Sequence, residues 1–380
     1  MTRATLPATF MRGGTSKALM LHRRDLPDDI AAWTPLLLSA MGSPDPFGRQ
    51  LDGMGGGVSS LSKVCVVARS ERSDADLDYT FVQVSVTQDR IDLSGNCGNM
   101  LAAVGPFAID EGIVAAADGP VTIRIHNTNT RKVVHAAFAV REGRAVYAGD
   151  LAIPGVAGTA APVRLDFIDP GGATTGRLLP TGAVRDRLAV PGLGSVAVSM
   201  VDAANACVFV AAADLDVTAT ERPDALAAIP GLLDRLARIR VAASVAMGIA
   251  PDPDAAARIT HVPFIGLVAP PRDATTLSGE ALAAKDMDLT ARVISNGLPH
   301  QALPLTATLC LAVAARLPGS LVHAMAGPDS RNGLRVGMPS GILTADAGVE
   351  AGPDGTFVVR RGSFYRTARP LMKGAVFVAS

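Results

Sequence analysis

The stretch Ser94-Gly95-Asn96-Cys97-Gly98-Asn99 runs straight into the alanine-rich segment 100–111. Its glycines and asparagines make a turn, and the apolar spacing behind them makes a helix that starts near Cys97, with Asn96 as a good N-cap. A second stretch, Gly297-Leu298-Pro299-His300-Gln301-Ala302, leads in the same way into a helix over Thr306 to Arg316. Both helices end near a glycine, Gly112 and Gly319. Around them lie β-branched runs bounded by turn residues. They predict strands at Val64–Ala68, Phe81–Val86, Val121–Ile125, Val133–Val140, Val196–Val201 and Cys207–Ala211. Helices are also expected over Pro27–Met41, over Asp224–Met247 with a break at Pro230-Gly231, and over Asp286–Asn296. Pro106 should interrupt the helix that begins at Cys97. Long β stretches holding a few central helices predict an α+β fold rather than alternating βαβ units. The two glycine-led helices predict two pseudo-symmetric halves, each a β-sheet rolled around a central helix. The expected division is 1–183 and 184–364, with a final strand at about 365–380 returning to the first half.

Composition narrows the function. The chain has 380 residues, long enough for two domains, and is 48% hydrophobic and 18% charged, so it can bury a sizeable core. Its 35 basic residues balance 35 acidic ones, and aromatics make up only 4%. Neutral charge and scarce stacking residues argue against nucleic-acid binding. Apolar runs such as Ala307–Ala315 are too short for a bilayer, which takes about 20 residues. Residues Met1 to Gly14 show no apolar run, so no secretory leader is expected. Cys65, Cys97, Cys207 and Cys310 form no CxxC pair and no zinc spacing. A cytoplasmic protein with reduced thiols, no metal and no cofactor is expected. Two-fold symmetry makes a homodimer the default assembly.

Three loops combine glycine with small hydroxyl residues. They are Met11-Arg12-Gly13-Gly14-Thr15-Ser16-Lys17, Asp52 to Lys63, and the Ser94 to Asn99 turn. In the first, lysine follows serine, which is not the Gly-Lys-Ser/Thr order of a Walker A loop. In the second, Val58 stands where a dinucleotide fingerprint needs its third glycine, and a strand follows instead of a helix. What remains is an anion nest, where glycines let backbone N–H groups converge and hydroxyls add donors. Any one loop reads more readily as a tight turn; three of one character, two of them ending in lysine, reverse that preference and favour a carboxylate or phosphate site.

Lysine occurs only five times, against thirty arginines, and two of the five, Lys17 and Lys63, close such loops. Arginine stays protonated at neutral pH, whereas a lysine against a low-dielectric wall can act as a base. Lys63 is the candidate base, and Lys17 a second base or a carboxylate clamp. Cys97 is the candidate catalytic thiol, because the amide end of a helix favours an anionic sulfur. Cys65 shares a strand face with Lys63 by period two, but its apolar context reads as core. Ser16, Lys17, Ser60, Ser62, Asn96, Gly98, Asn99 and His300 are the candidate substrate-binding residues.

These motifs resemble the PrpF family of cofactor-free isomerases, relatives of diaminopimelate epimerase. The resemblance covers nearly the whole chain. Besides the first-half loops it rests on Leu179-Pro180-Thr181-Gly182, Val268-Ala269-Pro270-Pro271, Pro339-Ser340-Gly341 and Arg366-Thr367-Ala368-Arg369. It implies a diaminopimelate epimerase-like fold with the site in the cleft between its halves, a catalytic lysine at Lys63 and a catalytic-site cysteine at Cys97, and with it Ser340 and Gly341 join the candidate substrate-binding residues. Diaminopimelate epimerase uses one cysteine from each half. Here His300 stands at the corresponding helix entry, so one-sided or allylic proton transfer is expected instead of two-thiol racemisation. Family members isomerise 2-methylaconitate, 4-oxalomesaconate or methylitaconate. Ala18, Gly57-Val58, Pro299-His300-Gln301 and Ala203-Ala204-Asn205-Ala206 depart from the methylaconitate pattern, which bears on the substrate. The expected activity is isomerisation of an unsaturated di- or tricarboxylate. The alternatives are a 4-oxalomesaconate tautomerase and, in another class, a non-catalytic carboxylate-binding protein.

Overall fold

The computed structural model describes residues 3–93, 97–327, 330, 333–352 and 354–379. The chain divides into two compact units, 1–166 with 365–380, and 167–364. The change-over falls at Asp166/Phe167, ahead of the position expected from the sequence. Residues after it are tied to the second unit: Asp202 Oδ2 accepts the amides of Thr174 and Thr175, and its backbone carbonyl accepts Gly172 N–H.

The first unit contains β1 (Arg3–Gly13), β2 (Ser16–His22), α1 (Trp33–Met41), β3 (Lys63–Arg69), β4 (Leu77–Val84), β5 (Ile91–Asp92), α2 (Gly98–Asp110), β6 (Gly119–Asn127), β7 (Lys132–Arg141), β8 (Arg144–Ala145) and most of β9 (Pro162–Ile168). The second contains β10 (Asp186–Val190), β11 (Gly194–Ala203), β12 (Asn205–Ala211), α3 (Pro223–Ala228), α4 (Leu232–Ala246), α5 (Pro253–Arg258), β13 (Phe264–Ala269), β14 (Ala274–Thr275), β15 (Ala281–Leu282), β16 (Leu289–Ser295), β17 (Leu298–Pro299), α6 (Leu305–Ala315), α7 (Leu321–Met325), β18 (Leu334–Met338) and β19 (Gly341–Ala351). The long β20 (Phe357–Ala379) gives residues to both.

In the first unit β1 pairs antiparallel with β2 and with the end of β20, and β2 runs parallel to β3. α2 packs against β1, β2, β3, β6, β7 and β8. Its residues from Met100 to Ile109 are all buried, so this helix is apolar on every side, as a helix enclosed by strands must be. Pro106 does not break it, contrary to the sequence expectation; the helix runs through to Asp110. A Cβ on Gly105 would sit 2.7 Å from the Phe138 ring, so helix and strand meet there only because the residue is glycine. A separate core under α1 holds Trp33, Leu37, Met41, Leu19 and Val82.

In the second unit α6 packs against β11, β12, β13 and β19, inside a core with Leu289, Ala291, Val293, Val336 and Leu343. α4 anchors a second core through Leu232, Leu236, Ile239 and Ala243. The segment read as a helix over 286–296 is instead strand β16, paired with β13 and β18. All seven of its residues are buried. A strand covered on both faces shows no alternation, so its apolar run mimics a helix. The break at Pro230-Gly231 is present between α3 and α4. No described helix is long and apolar enough to cross a membrane.

Candidate active site

The start of α2 is the first component. Cys97 is its N-cap, in extended conformation, and no side chain caps the helix. The cap expected at Asn96 lies, with Ser94 and Gly95, outside the described residues; among those described, Cys97 holds the position. The Cys97 thiol is buried, 3.9 Å from the Ser16 hydroxyl. The β1–β2 turn lies hard against this helix end. A Cβ on Gly13 would come within 2.7 Å of the Asn99 carbonyl, and one on Gly14 within 2.3 Å of Asn99 Oδ1. Gly14 also has φ +51°, which side chains other than glycine rarely adopt. Asn99 is held from both ends: Nδ2 donates to Thr15 Oγ1 at 3.0 Å, and Oδ1 accepts from Arg366 Nε at 3.0 Å. Burial lowers the Arg366 guanidinium to about 10, against the pull of the Cys97 sulfur.

Lys63 is the second component. It opens β3, opposite Gln83 in the β3–β4 register, and is only 8% exposed. Its Nζ donates to Gln83 Oε1 at 2.6 Å and lies 4.8 Å from the Phe81 ring centroid. The Gln83 amide is oriented independently, because Nε2 donates to the carbonyls of Ser62 at 2.8 Å and Ser59 at 3.0 Å. Cys65 follows on the same strand face, with Sγ 3.8 Å from Tyr79 Oη. Burial, reinforced by the Cys97 sulfur, pushes the Cys65 thiol far up, so it stays protonated and acts as core. Tyr79 is pushed up by burial and by both sulfurs.

The serines divide. Ser16 faces Cys97. Ser60 is half-buried in the turn before Lys63, and its hydroxyl makes no hydrogen bond among the described residues. Ser62 is fully buried and committed twice, accepting from Gln50 Nε2 at 2.7 Å and donating to the Val84 carbonyl at 2.9 Å. It anchors the loop and has no hydroxyl to spare for a ligand. Lys17 follows Ser16 on β2, so it points to the opposite sheet face and does not join Cys97.

In the second unit, Pro339 and Ser340 form the tight turn from β18 to β19, and Gly341 opens β19 opposite Met338. The Ser340 hydroxyl is buried without a hydrogen-bond partner, an arrangement that calls for a ligand or water. His300 does not stand at a helix start. Pro304 is the N-cap of α6, and His300 lies earlier, just past β17, with Nε2 2.7 Å from Ser295 Oγ. Burial lowers its pKa below the ordinary 6.5, which favours the neutral ring. No group of three or more His, Cys, Asp or Glu that could hold a metal occurs among the described residues.

Three contributions escaped the sequence reading. Gln83 bonds Lys63 from the neighbouring strand β4, and Arg366 bonds Asn99 from β20. Gly13 and Gly14 serve close packing against Asn99 as much as anion binding. Gln83 gave no signal of its own, since Asp78 and Thr80 make β4 polar at other positions as well.

The fold agrees with what the chain is similar to. The family model described as PrpF protein matches residues 3–379. The 3-methylitaconate isomerase of Eubacterium barkeri is 40% identical over 376 residues, covering 98% of this chain and 97% of that protein. The 2-methyl-aconitate isomerase of Cupriavidus necator is 39% identical, covering 98% and 97%. The (4E)-oxalomesaconate Delta-isomerase of Novosphingobium sp. (strain KA1) is 38% identical, with the same coverage. A crystal structure of methylitaconate-delta-isomerase superposes with a TM-score of 0.90 at 40% identity, over 100% of this chain and 96% of that one. The chain belongs to the PrpF family. Its relatives over nearly the full length are isomerases, and it is an isomerase too.

Proposed function

We propose that the protein isomerises an unsaturated di- or tricarboxylate of the 2-methylaconitate or methylitaconate kind by moving a proton at carbon. The observation that carries this is the pairing, within one unit, of a buried lysine held by a neutral amide and a buried thiol at an uncapped helix start. In this reading Lys63 takes a proton from the carbon γ to a conjugated carboxylate. The C–H electron pair enters a dienolate, and the charge moves onto the carboxylate oxygens. The open amides of Gly98 and Asn99, with the Ser16 and Ser60 hydroxyls, hold that anion. Lys63 or Cys97 returns a proton at the α carbon, which shifts the double bond, or at the γ carbon after rotation, which exchanges cis and trans forms. The unpartnered Ser340 hydroxyl supports a carboxylate contact for Ser340 and Gly341. His300, kept neutral, is read as a hydrogen-bonding group and not as an acid.

The finer fold description belongs here as well. The enclosed helices α2 and α6, neither capped by a side chain, support two related epimerase-like halves of an α+β protein, each a sheet rolled around one helix. A cytoplasmic location and a homodimer complete the proposal.

The test is incubation with 2-methylaconitate, methylitaconate or trans-aconitate in D₂O. We expect deuterium at the γ or α carbon and a loss of 10²-fold or more, roughly, in Lys63→Ala. Absence of exchange with every substrate, or full activity in Lys63→Ala, would sink the mechanism. A second reading, tautomerisation of 4-oxalomesaconate, draws on the oxalomesaconate relative; a kcat/KM higher on that keto acid would select it.

A further inference from the structure

We propose that the first unit carries a second anion site, apart from the Lys63–Cys97 cluster, built by Lys17, Arg12 and Arg369 in a row across three adjacent strands. Its ligand is a small oxyanion of two or more charges, a phosphate or a polycarboxylate. The row follows from register. Arg12 stands directly opposite Lys17 in the β1–β2 pair and directly opposite Arg369 in the β1–β20 pair. All three side chains line one cavity of about 470 Å³, together with Tyr147 and Thr159. Ser16, Lys63 and Cys97 do not line it. Alternation along β2 separates the two places, since Ser16 turns toward α2 and Lys17 turns away.

Like charges placed directly opposite on a sheet are destabilising, and here three coincide. None of them forms an ion pair with an acid among the described residues, and no acid lines the cavity. The hydroxyl of Tyr147, which lines the cavity, is committed to Asp110 Oδ2 at 2.7 Å. Arg12 is fixed in place: its Nη1 donates to the carbonyls of Gly14 and Thr367 and to Thr367 Oγ1. Its other N–H groups make no hydrogen bond among the described residues. Lys17 is held over the Phe10 ring at 5.5 Å, which keeps its ammonium on this face. Burial and the Arg369 charge both work against the Arg12 proton, as expected of a cation cluster lacking its counter-ion. A dianion bridging the row would relieve the repulsion and use the free guanidinium donors.

The probes are inorganic phosphate and tricarballylate, a saturated tricarboxylate with no double bond to shift. Each is titrated calorimetrically at low salt into the full chain and into Arg369→Ala, Arg369→Lys and Lys63→Ala. We expect saturable binding that weakens about tenfold in Arg369→Ala, recovers partly in Arg369→Lys and persists in Lys63→Ala. For tricarballylate, which can also enter the catalytic site, the readout is the Arg369-dependent component. Whichever probe binds more tightly names the source of the ligand. No saturable binding of either, equal binding in wild type and Arg369→Ala, or loss of that component in Lys63→Ala would overturn the proposal. Arg369→Ala should keep the wild-type kcat, so failure here is distinct from failure of the catalytic reading.

Discussion

Gln83 shows how a lysine is aimed without a carboxylate. Its amide nitrogen is tied to two backbone carbonyls, so its oxygen must face Lys63 Nζ. Gln83→Leu should therefore lower kcat about tenfold or more, with KM changed much less, because aim and not affinity is lost. Steady-state kinetics alongside a melting curve separates this from unfolding; a kcat matching wild type would show that Lys63 needs no such guide. Gly14 is a different case. Gly14→Ala must take a left-handed backbone and drive a methyl into Asn99 Oδ1. It should cost about 1–3 kcal/mol and displace Asn99 from Arg366, read as a lower Tm together with reduced activity. Lys63, Cys97 and the paired glycines were legible in the sequence because each breaks a local habit: a rare lysine, a thiol among polar neighbours, a doubled glycine. Arg366 was legible only as part of the Arg366-Thr367-Ala368-Arg369 motif; nothing local told that it would bond a residue 267 positions away.

At the scale of elements, the open start of α2 is the feature with most consequence. Helices are normally capped by a side-chain oxygen, and this one has a cysteine whose thiol makes no cap bond. Cys97→Ser places a capping hydroxyl there. It should raise stability, by up to about 1 kcal/mol, while abolishing or sharply lowering turnover. Denaturant unfolding and an isomerase assay on the same preparation test both halves of the statement; a serine variant that is active would remove the thiol from the chemistry. The strands bounded by turns were readable from β-branched runs. β16 was not, because burial on both faces erases the period that tells strand from helix. The entry to α6 was misread because His300 follows the short strand β17 and four more residues, ending in Pro304, separate it from the helix.

For the molecule as a whole, acidification acts in one direction. His300 is held below 6.5 by burial, so its neutral form is favoured in the fold. Its contribution is fully present above pH 6.5 and is lost as pH falls through the lowered value. Asp76, through the Arg124 hydrogen bond, and Glu221, where burial is outweighed by hydrogen bonds led by the Thr218 amide, are held below the ordinary carboxylate values of 3.8 and 4.5. Their contribution is present above those values and is lost only in stronger acid. Stability should decline in two stages, a shallow one below pH 6.5 and a steeper one below about pH 4. Denaturant midpoints across pH 3–8 would show it, and His300→Gln should flatten the first stage; an unchanged first stage would remove His300 as its source.

The strand β20 has a bearing on synthesis. Its last residues pair with β1 along almost the whole of that strand, from Arg3 opposite Ala379 to Gly13 opposite Ala368. The unit that holds Lys63 and Cys97 is thus begun by residues translated before the second unit and finished by residues translated after it. On the ribosome the second unit has all of its residues while β1 still waits for its partner. The edge of β1 stays open longest, and a chain stalled before residue 365 carries both proposed catalytic side chains without the strand that closes their sheet.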